Sequence, residues 1–322
     1  MNSKTENKNE KIFLIIHSYK IGDMILTNSL VQNIKRLYTN SKVVALSSPE
    51  LFDIAKYQES VDDVIIWDRK NKHKGIFATL KFVFNFPYKN IYACFPIYGM
   101  DRPALLSFLL NPKYIVCKIQ TFFSHLRRMK YPLIQNNQSM QERFTQLLTG
   151  ITNEKLTNVS IKYNIPDSIN SNVINNIKND DYTVLVAQGS KQIKDMPFEL
   201  ACEIIEKMPD TKFVYIGQGS TVKEFSEKIS KKGYTNLIDL SNKTTPLEAA
   251  AIIKNAKGII TVDTGWMHIA CAVGTPFVAM FFASGAELFI PNDEMYNCKV
   301  LNKDITSDNV IDSYNVLLNI KK

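Results

Sequence analysis

Cysteine is scarce in this chain. There are five in 322 residues, at 94, 117, 202, 271 and 298, an odd number with no CxxC pair. That excludes a disulfide scaffold. Together with the polar start MNSKTENKNEK, which lacks the apolar core of a signal peptide, it leads us to expect a reducing, cytoplasmic location. Histidine is scarcer still, with four residues scattered at 17, 73, 125 and 268, and neither HExxH nor a DxD pair occurs. No metal centre is therefore expected. The chain has no GxSxG elbow for a serine nucleophile. It also lacks GxGxxG and GxxxxGK[ST], the glycine-rich nucleotide loops of the commonest folds. A membrane span is not expected either. The most apolar stretch, 264–286, is divided by Gly265, Gly274, Pro276 and Gly285 into a short helix, a turn and a strand.

What is present is an ordinary globular composition, 45% hydrophobic and 22% charged, at a length that suggests two domains. The charge is uneven. Residues 1–165 hold 23 Lys+Arg against 12 Asp+Glu, residues 166–322 hold 16 against 19, and no arginine follows Arg143. The first half should face something anionic, and the two halves should have different partners.

Strand-like and helix-like runs alternate. KIFLIIH (11–17), KVVALS (42–47), DDVIIW (62–67), NIYACF (90–95) and KYIVC (113–117) read as buried strands, with helices over 24–38 and near 50–57, 75–86 and 101–110. The pattern restarts with strands at 182–188, 212–217, 236–240, 258–263 and 277–282, and with helices at 197–208, 220–232 and 246–256. This order predicts α/β architecture: two doubly wound, Rossmann-like parallel sheets facing a central cleft, with ligands at the carboxyl ends of strands. We expect a polar tail at 1–10, a first domain over 11–170 and a second over 171–322. The closing amphipathic helix, 309–320, has the option of packing back on the first domain.

Four places carry polar chemistry at strand ends. After the first strand comes HSYKIGDM (17–24), where Asp23 reads either as a helix N-cap or as a carboxylate base aimed into the cleft. After the 258–263 strand comes DTGWMHIACAVGTP (263–276). There the helix start at Thr264–Gly265 suits a phosphate. His268 either donates to an oxyanion or is a satisfied buried histidine, and Asp263 either orients that imidazole or touches the ligand. After the second domain's first strand, QGSKQIKDMP (188–197) offers Gly189, Ser190 and Lys194 to a diphosphate. In the 217–224 segment, Glu224 reads as a ribose-diol contact or as a solvated helix residue. Lys70, Lys72, Lys74, Arg127 and Arg128 form a basic set suited to an anionic acceptor, and the aromatic residues of 76–88 belong either to a membrane interface or to the core.

The combination of IGD (21–23) with DTGWMHIACAVGTP, supported by VVALSSPE (43–50), VDDVI (61–65) and KDMP (194–197), resembles glycosyltransferase family 9, the lipopolysaccharide heptosyltransferases. The resemblance implies a GT-B fold and an inverting, metal-independent transfer from a nucleotide sugar, typically ADP-heptose. The acceptor it implies is a phosphorylated, lipid-linked saccharide at the cytoplasmic face of the inner membrane. It makes Asp23 the general base, Lys194 the diphosphate grip with Ser190 assisting, and Thr264, Gly265 and His268 the phosphate site with Asp263 in support. Glu224 becomes the ribose contact. The chain departs from the family pattern just past Asp23, where Asn28–Ser29 stand near the family's usual proline. A sugar-nucleotide-binding protein without transfer activity and an epimerase on a similar fold are the rival readings. A nucleic-acid binder is disfavoured by the acidic second half and the lack of any recognised motif.

Overall fold

The computed structural model describes residues 10–17, 20–97, 101–118, 129–135, 138–169, 175, 177, 181–283, 285–289 and 295–320. The chain divides into two compact units, residues 1–161 and 162–322. The sequence puts the division at 170/171, but residues 163–167 are already tied into the second unit. The Tyr163 amide donates to Ala272 O (3.1 Å), and Lys254 Nζ donates to Ile165 O (2.9 Å).

The first unit has one parallel sheet of order β3-β2-β1-β4-β5-β6, from β1 (Lys11–Ile16), β2 (Ser41–Ser47), β3 (Asp63–Ile66), β4 (Ile91–Pro96), β5 (Tyr114–Val116) and β6 (Met129–Lys130). The central strands are near-continuous apolar runs because helices cover both faces of such a sheet. Every residue of β1 after Lys11 is buried. The second unit repeats the plan with order β12-β11-β10-β7-β8-β9, from β7 (Tyr182–Val186), β8 (Lys212–Tyr215), β9 (Leu237–Asp239), β10 (Gly258–Val262), β11 (Phe277–Met280) and β12 (Cys298–Leu301). In each sheet the strand order reverses once, between β1 and β4 and between β7 and β10. The crevice outside the strand ends at such a point is where ligands bind in this architecture.

The single helix expected over 24–38 is two, Ile21–Leu26 and Asn28–Leu37. The break has a local cause. Thr27 Oγ1 donates back to Met24 O (2.7 Å) and Ser29 Oγ to Leu26 O (3.1 Å), competing with the helical ladder. The second helix then buries a polar edge. Asn33 donates to Thr157 O and accepts from the Thr157 amide, both at 2.9 Å, and Thr145 Oγ1 donates to Ser29 Oγ at 2.7 Å.

In the second unit, Pro246 opens helix Pro246–Asn255 behind a Thr245/Glu248 capping box. Helix Gly265–Val273 closes on Gly274 at φ 76°, a left-handed position that favours glycine. The closing helix, Ser307–Ile320, seats Val310, Tyr314 and Leu317 in the second unit's own core. A Cβ on Gly258 would lie 2.7 Å from the Tyr314 ring, and the Tyr314 hydroxyl shares a 2.6 Å hydrogen bond with Thr183 of β7. No helix among the described residues is long and apolar enough to cross a membrane.

Candidate active site

The second unit gathers its polar chemistry where β7 and β10 end. Gly189 follows β7, and the chain then makes a short 3-10 turn, Gln192–Lys194. That turn returns Lys194 toward Asp263, which follows β10, and Lys194 Nζ pairs with Asp263 Oδ2. Both side chains are largely buried, and the ammonium also lies 4.9 Å from the centroid of the Phe289 ring. The close approach explains Gly189. A Cβ there would lie 2.7 Å from Lys194 Cβ and 3.3 Å from the Asp263 carbonyl oxygen. The Gly189 amide donates to Asp195 Oδ1 (2.8 Å). Partial burial pushes the Asp195 carboxyl up, and that amide bond pulls the other way.

Asp263 leads directly into helix Gly265–Val273. Thr264 is the cap residue in extended backbone (φ −149°, ψ 167°), and its hydroxyl makes no capping bond. Met267 N–H reaches back to Thr264 O (3.2 Å), so the Gly265 and Trp266 amides lie ahead of the helix's own ladder. His268 stands one turn in, only 4% exposed, and its Nδ1 has no hydrogen-bond partner among the described residues. Burial pushes the imidazole down to about 4, Asp263 opposes that shift and Lys194 adds to it. His268 is therefore a neutral imidazole at pH 7, in electrostatic contact with both members of the ion pair.

The structure thus brings together Gly189, Lys194, Asp263, Thr264, Gly265 and His268. Ser190 is exposed on the same turn. Glu224 is exposed on helix Ser220–Ser230, after β8, on the side of β7 away from β10. The turn before that helix is tied down by hydrogen bonds from its backbone and side chain. Gly219 has φ 116°, its amide donates to Asn242 Oδ1 (2.8 Å), and Gln218 Nε2 donates to Thr244 O (2.6 Å).

In the first unit, Asp23 is the third residue of helix Ile21–Leu26 and is nearly buried. The N-cap reading is corrected here. The helix begins earlier than the sequence suggests, Lys20 is the cap residue, and no side-chain cap bond forms. Asp23 is a charge neighbour of Lys118, whose ammonium burial pushes down, Arg143 pushes further down and Asp23 raises. His17, at the end of β1, is buried with neither ring nitrogen partnered among the described residues, and burial takes its pKa down to about 3. Of the basic set, Lys70 lies 3.7 Å from Glu50 with both side chains exposed. Lys72 and Lys74 are exposed around a turn whose Asn71 and Lys72 amides bond Asp68. Arg127 and Arg128 lie outside the described residues. Among the described residues no group of three or more His, Cys, Asp or Glu side chains is placed to hold a metal ion.

Phe289, Asp195 and Arg143 were not singled out from the sequence as site residues. Asp195 adjoins Lys194 in KDMP and was within reach of that motif. Phe289 and Arg143 join their clusters only through the fold, and no local pattern marks them.

Comparison with known proteins gives a match of residues 121–311 to the model of glycosyltransferase family 9 (heptosyltransferase). No curated protein sequence matches. Among solved structures, the glycosyl transferase family 9 protein of Veillonella parvula is 16% identical, with 96% of this chain and 97% of that chain covered and a TM-score of 0.83. The ADP-heptose LPS heptosyltransferase II of E. coli is 16% identical (97% and 99% covered, TM-score 0.77). The E. coli heptosyltransferase WaaC with ADP is 17% identical (95% and 99% covered, TM-score 0.76). At these identities the structures speak for the fold: two Rossmann-like sheets of the GT-B class.

Proposed function

The chain belongs to glycosyltransferase family 9, the heptosyltransferase family, and is a glycosyltransferase; from that premise we propose that it transfers heptose from ADP-heptose to a lipopolysaccharide-core acceptor, inverting the anomeric centre without a metal. What supports the donor half of this reading most directly is the Lys194–Asp263–His268 cluster at the start of helix Gly265–Val273, inside the segment the family model matches.

In this mechanism Asp23 accepts the proton of an acceptor hydroxyl. The oxygen forms its bond to the anomeric carbon as the bond from that carbon to the diphosphate breaks. The electron pair leaves on ADP. The growing negative charge meets the Lys194 ammonium, the Gly265 and Trp266 amides, the Thr264 hydroxyl and an N–H of His268, groups fixed before the donor arrives. A neutral His268 has one N–H to donate, so it steadies an oxygen without needing to change charge. Asp263 holds Lys194 in place until the diphosphate competes for it. Ser190 assists at the phosphates and Glu224 takes the ribose. The acceptor side falls to the first unit, with Lys70, Lys72, Lys74, Arg127 and Arg128 drawing in a phosphorylated saccharide whose lipid anchor keeps the protein peripheral to the cytoplasmic face of the inner membrane.

The deciding experiment combines a thermal-shift screen of nucleotide sugars with product analysis by NMR. ADP-heptose should stabilise the protein by mass action, and transfer in excess EDTA should give a product of inverted anomeric configuration. Stabilisation by a different nucleotide sugar would change the donor. A donor shift without product would leave a binding protein, and conversion of the donor with no acceptor present would make the protein an epimerase.

A further inference from the structure

The first unit carries a helix that is inside out. In helix Ile76–Phe84 no residue is fully buried. Phe82 and Val83 pack against the core formed around Trp67, Phe86 and Leu106. Ile76, Phe77, Leu80 and Phe84 are exposed, by 53%, 85%, 43% and 83%. At 3.6 residues per turn these four fall within about 100° of arc, a continuous apolar stripe rather than scattered exceptions. Lys81 lies at its edge, exposed. Around it the charge has one sign. Between Asp68 and Asp101 the sequence has Arg69, Lys70, Lys72, Lys74, Lys81 and Lys89 and no acidic residue.

Under the first turn of this helix lies a cavity of about 210 Å³ lined by Trp67, Arg69, His73, Gly75, Ile76, Thr79, Arg102 and Leu105. Two of its lining residues are arginines. A third, Trp67, is buried (5% exposed), and its indole N–H has no acceptor among the described residues. Arg69 is held over the Trp67 ring, 5.1 Å from its centroid. A buried indole N–H without an acceptor, in a pocket lined by two arginines, suits an anionic ligand.

The geometry points to a membrane-docking surface: Phe77, Leu80 and Phe84 enter the interface of an anionic bilayer, the flanking lysines meet its phosphates, and one lipid headgroup phosphate seats in the Trp67–Arg69–Arg102 cavity. Apolar residues on one helix face combined with basic neighbours are what such an interface rewards. The surface goes beyond the donor chemistry and stands whether or not heptose is the sugar transferred.

The test is co-sedimentation of the whole protein with phosphatidylglycerol vesicles and, separately, phosphatidylcholine vesicles, at about 0.15 M salt where long-range charge effects are screened. The wild type should bind phosphatidylglycerol at least about tenfold better than phosphatidylcholine. Phe77→Ser/Phe84→Ser should lose at least about tenfold of that binding, because two aromatic anchors are removed, while keeping the wild-type melting temperature and donor thermal shift. Arg69→Gln/Arg102→Gln should lose the preference for phosphatidylglycerol. Wild-type protein left in the supernatant, or a Phe77→Ser/Phe84→Ser variant that sediments like wild type, would overturn the proposal. So would a dimer in vesicle-free sedimentation velocity that the same variant splits, because the stripe would then belong to a second copy. Unchanged headgroup preference in the arginine variant would remove the cavity from it.

Discussion

Both units are six-stranded parallel sheets with the same strand order counted along the chain, and each places its polar chemistry where that order reverses. They fill the place differently. In the second unit the reversal point holds a closed cluster, Lys194 on Asp263 with His268 beside them and a helix start alongside. In the first it holds a nearly buried carboxylate, Asp23, with Lys118 as a charge neighbour, and a buried His17 at the end of β1. The topology provides a crevice in both cases and is silent about chemistry. The residues after β7 and β10 collect an ammonium, a carboxylate and backbone amides, whereas those after β1 hold a single carboxylate. The proposed mechanism gives the first set to a diphosphate and the second to a base.

The sharpest way to break this contrast is a single substitution in the first unit. Asp23→Asn should lower turnover by about 10²–10⁴-fold, the range for a lost general base, while donor affinity by calorimetry stays at the wild-type level. Turnover at the wild-type level would remove Asp23 from the chemistry and the contrast with it.

Acid is the next probe. His268 is held to about 4 and His17 to about 3, both mainly by burial. In the unfolded chain each titrates near 6.5. Each therefore contributes stability that is fully present above the unfolded value and is lost as pH falls through the window down to the folded value. For His268 that loss amounts to about 3 kcal/mol between roughly pH 6.5 and 4. Urea midpoints measured against pH should fall across this range, and His268→Gln should flatten its share of the slope. An unchanged slope would mean that the imidazole is not held neutral.

Lys194→Ala should weaken donor binding by about 10–100-fold, the loss of one charge-assisted contact of about 1.5–3 kcal/mol, and leave acceptor KM alone. An altered acceptor KM with unaltered donor affinity would exchange the roles of the two units. The smallest effect is expected from Gly189→Ala. The added methyl meets Lys194 Cβ at 2.7 Å, so the turn must shift by a fraction of an ångström. Donor affinity should drop severalfold, about 1 kcal/mol, with a smaller change in melting temperature.

Much of this was legible from residue order because parallel strands buried on both faces are written as apolar runs. KIFLII, YTVLV and GIITV could be little else. The edge of the second sheet was not legible. CKVL (β12) is half-buried and short, with no alternation to mark it. The break at Thr27 was hidden because two hydroxyl–carbonyl bonds, not a glycine or proline, produce it. Helix Met140–Gln146 went unread because MQERFTQ is mostly polar, and two of the three residues on its buried face, Gln141 and Thr145, are polar residues paired with distant parts of the chain, Thr145 with Ser29 across 116 positions of sequence. In the site, Asp263–His268 could be read because strand end, cap and helix start are consecutive. Phe289 could not, because it reaches Lys194 only through the fold.

The bare Gly258 beneath Tyr314 has a consequence for how the protein is made. β7 and β10 form the centre of the second sheet, yet an aromatic ring some 130 positions downstream of β7 completes their packing and bonds the Thr183 hydroxyl. As the ribosome releases the chain from its amino end, the first unit has all its strands long before Tyr314 is made. The second sheet must wait, its middle uncovered, until Tyr314 has been added, so a chain stalled before that point would expose the second unit and not the first.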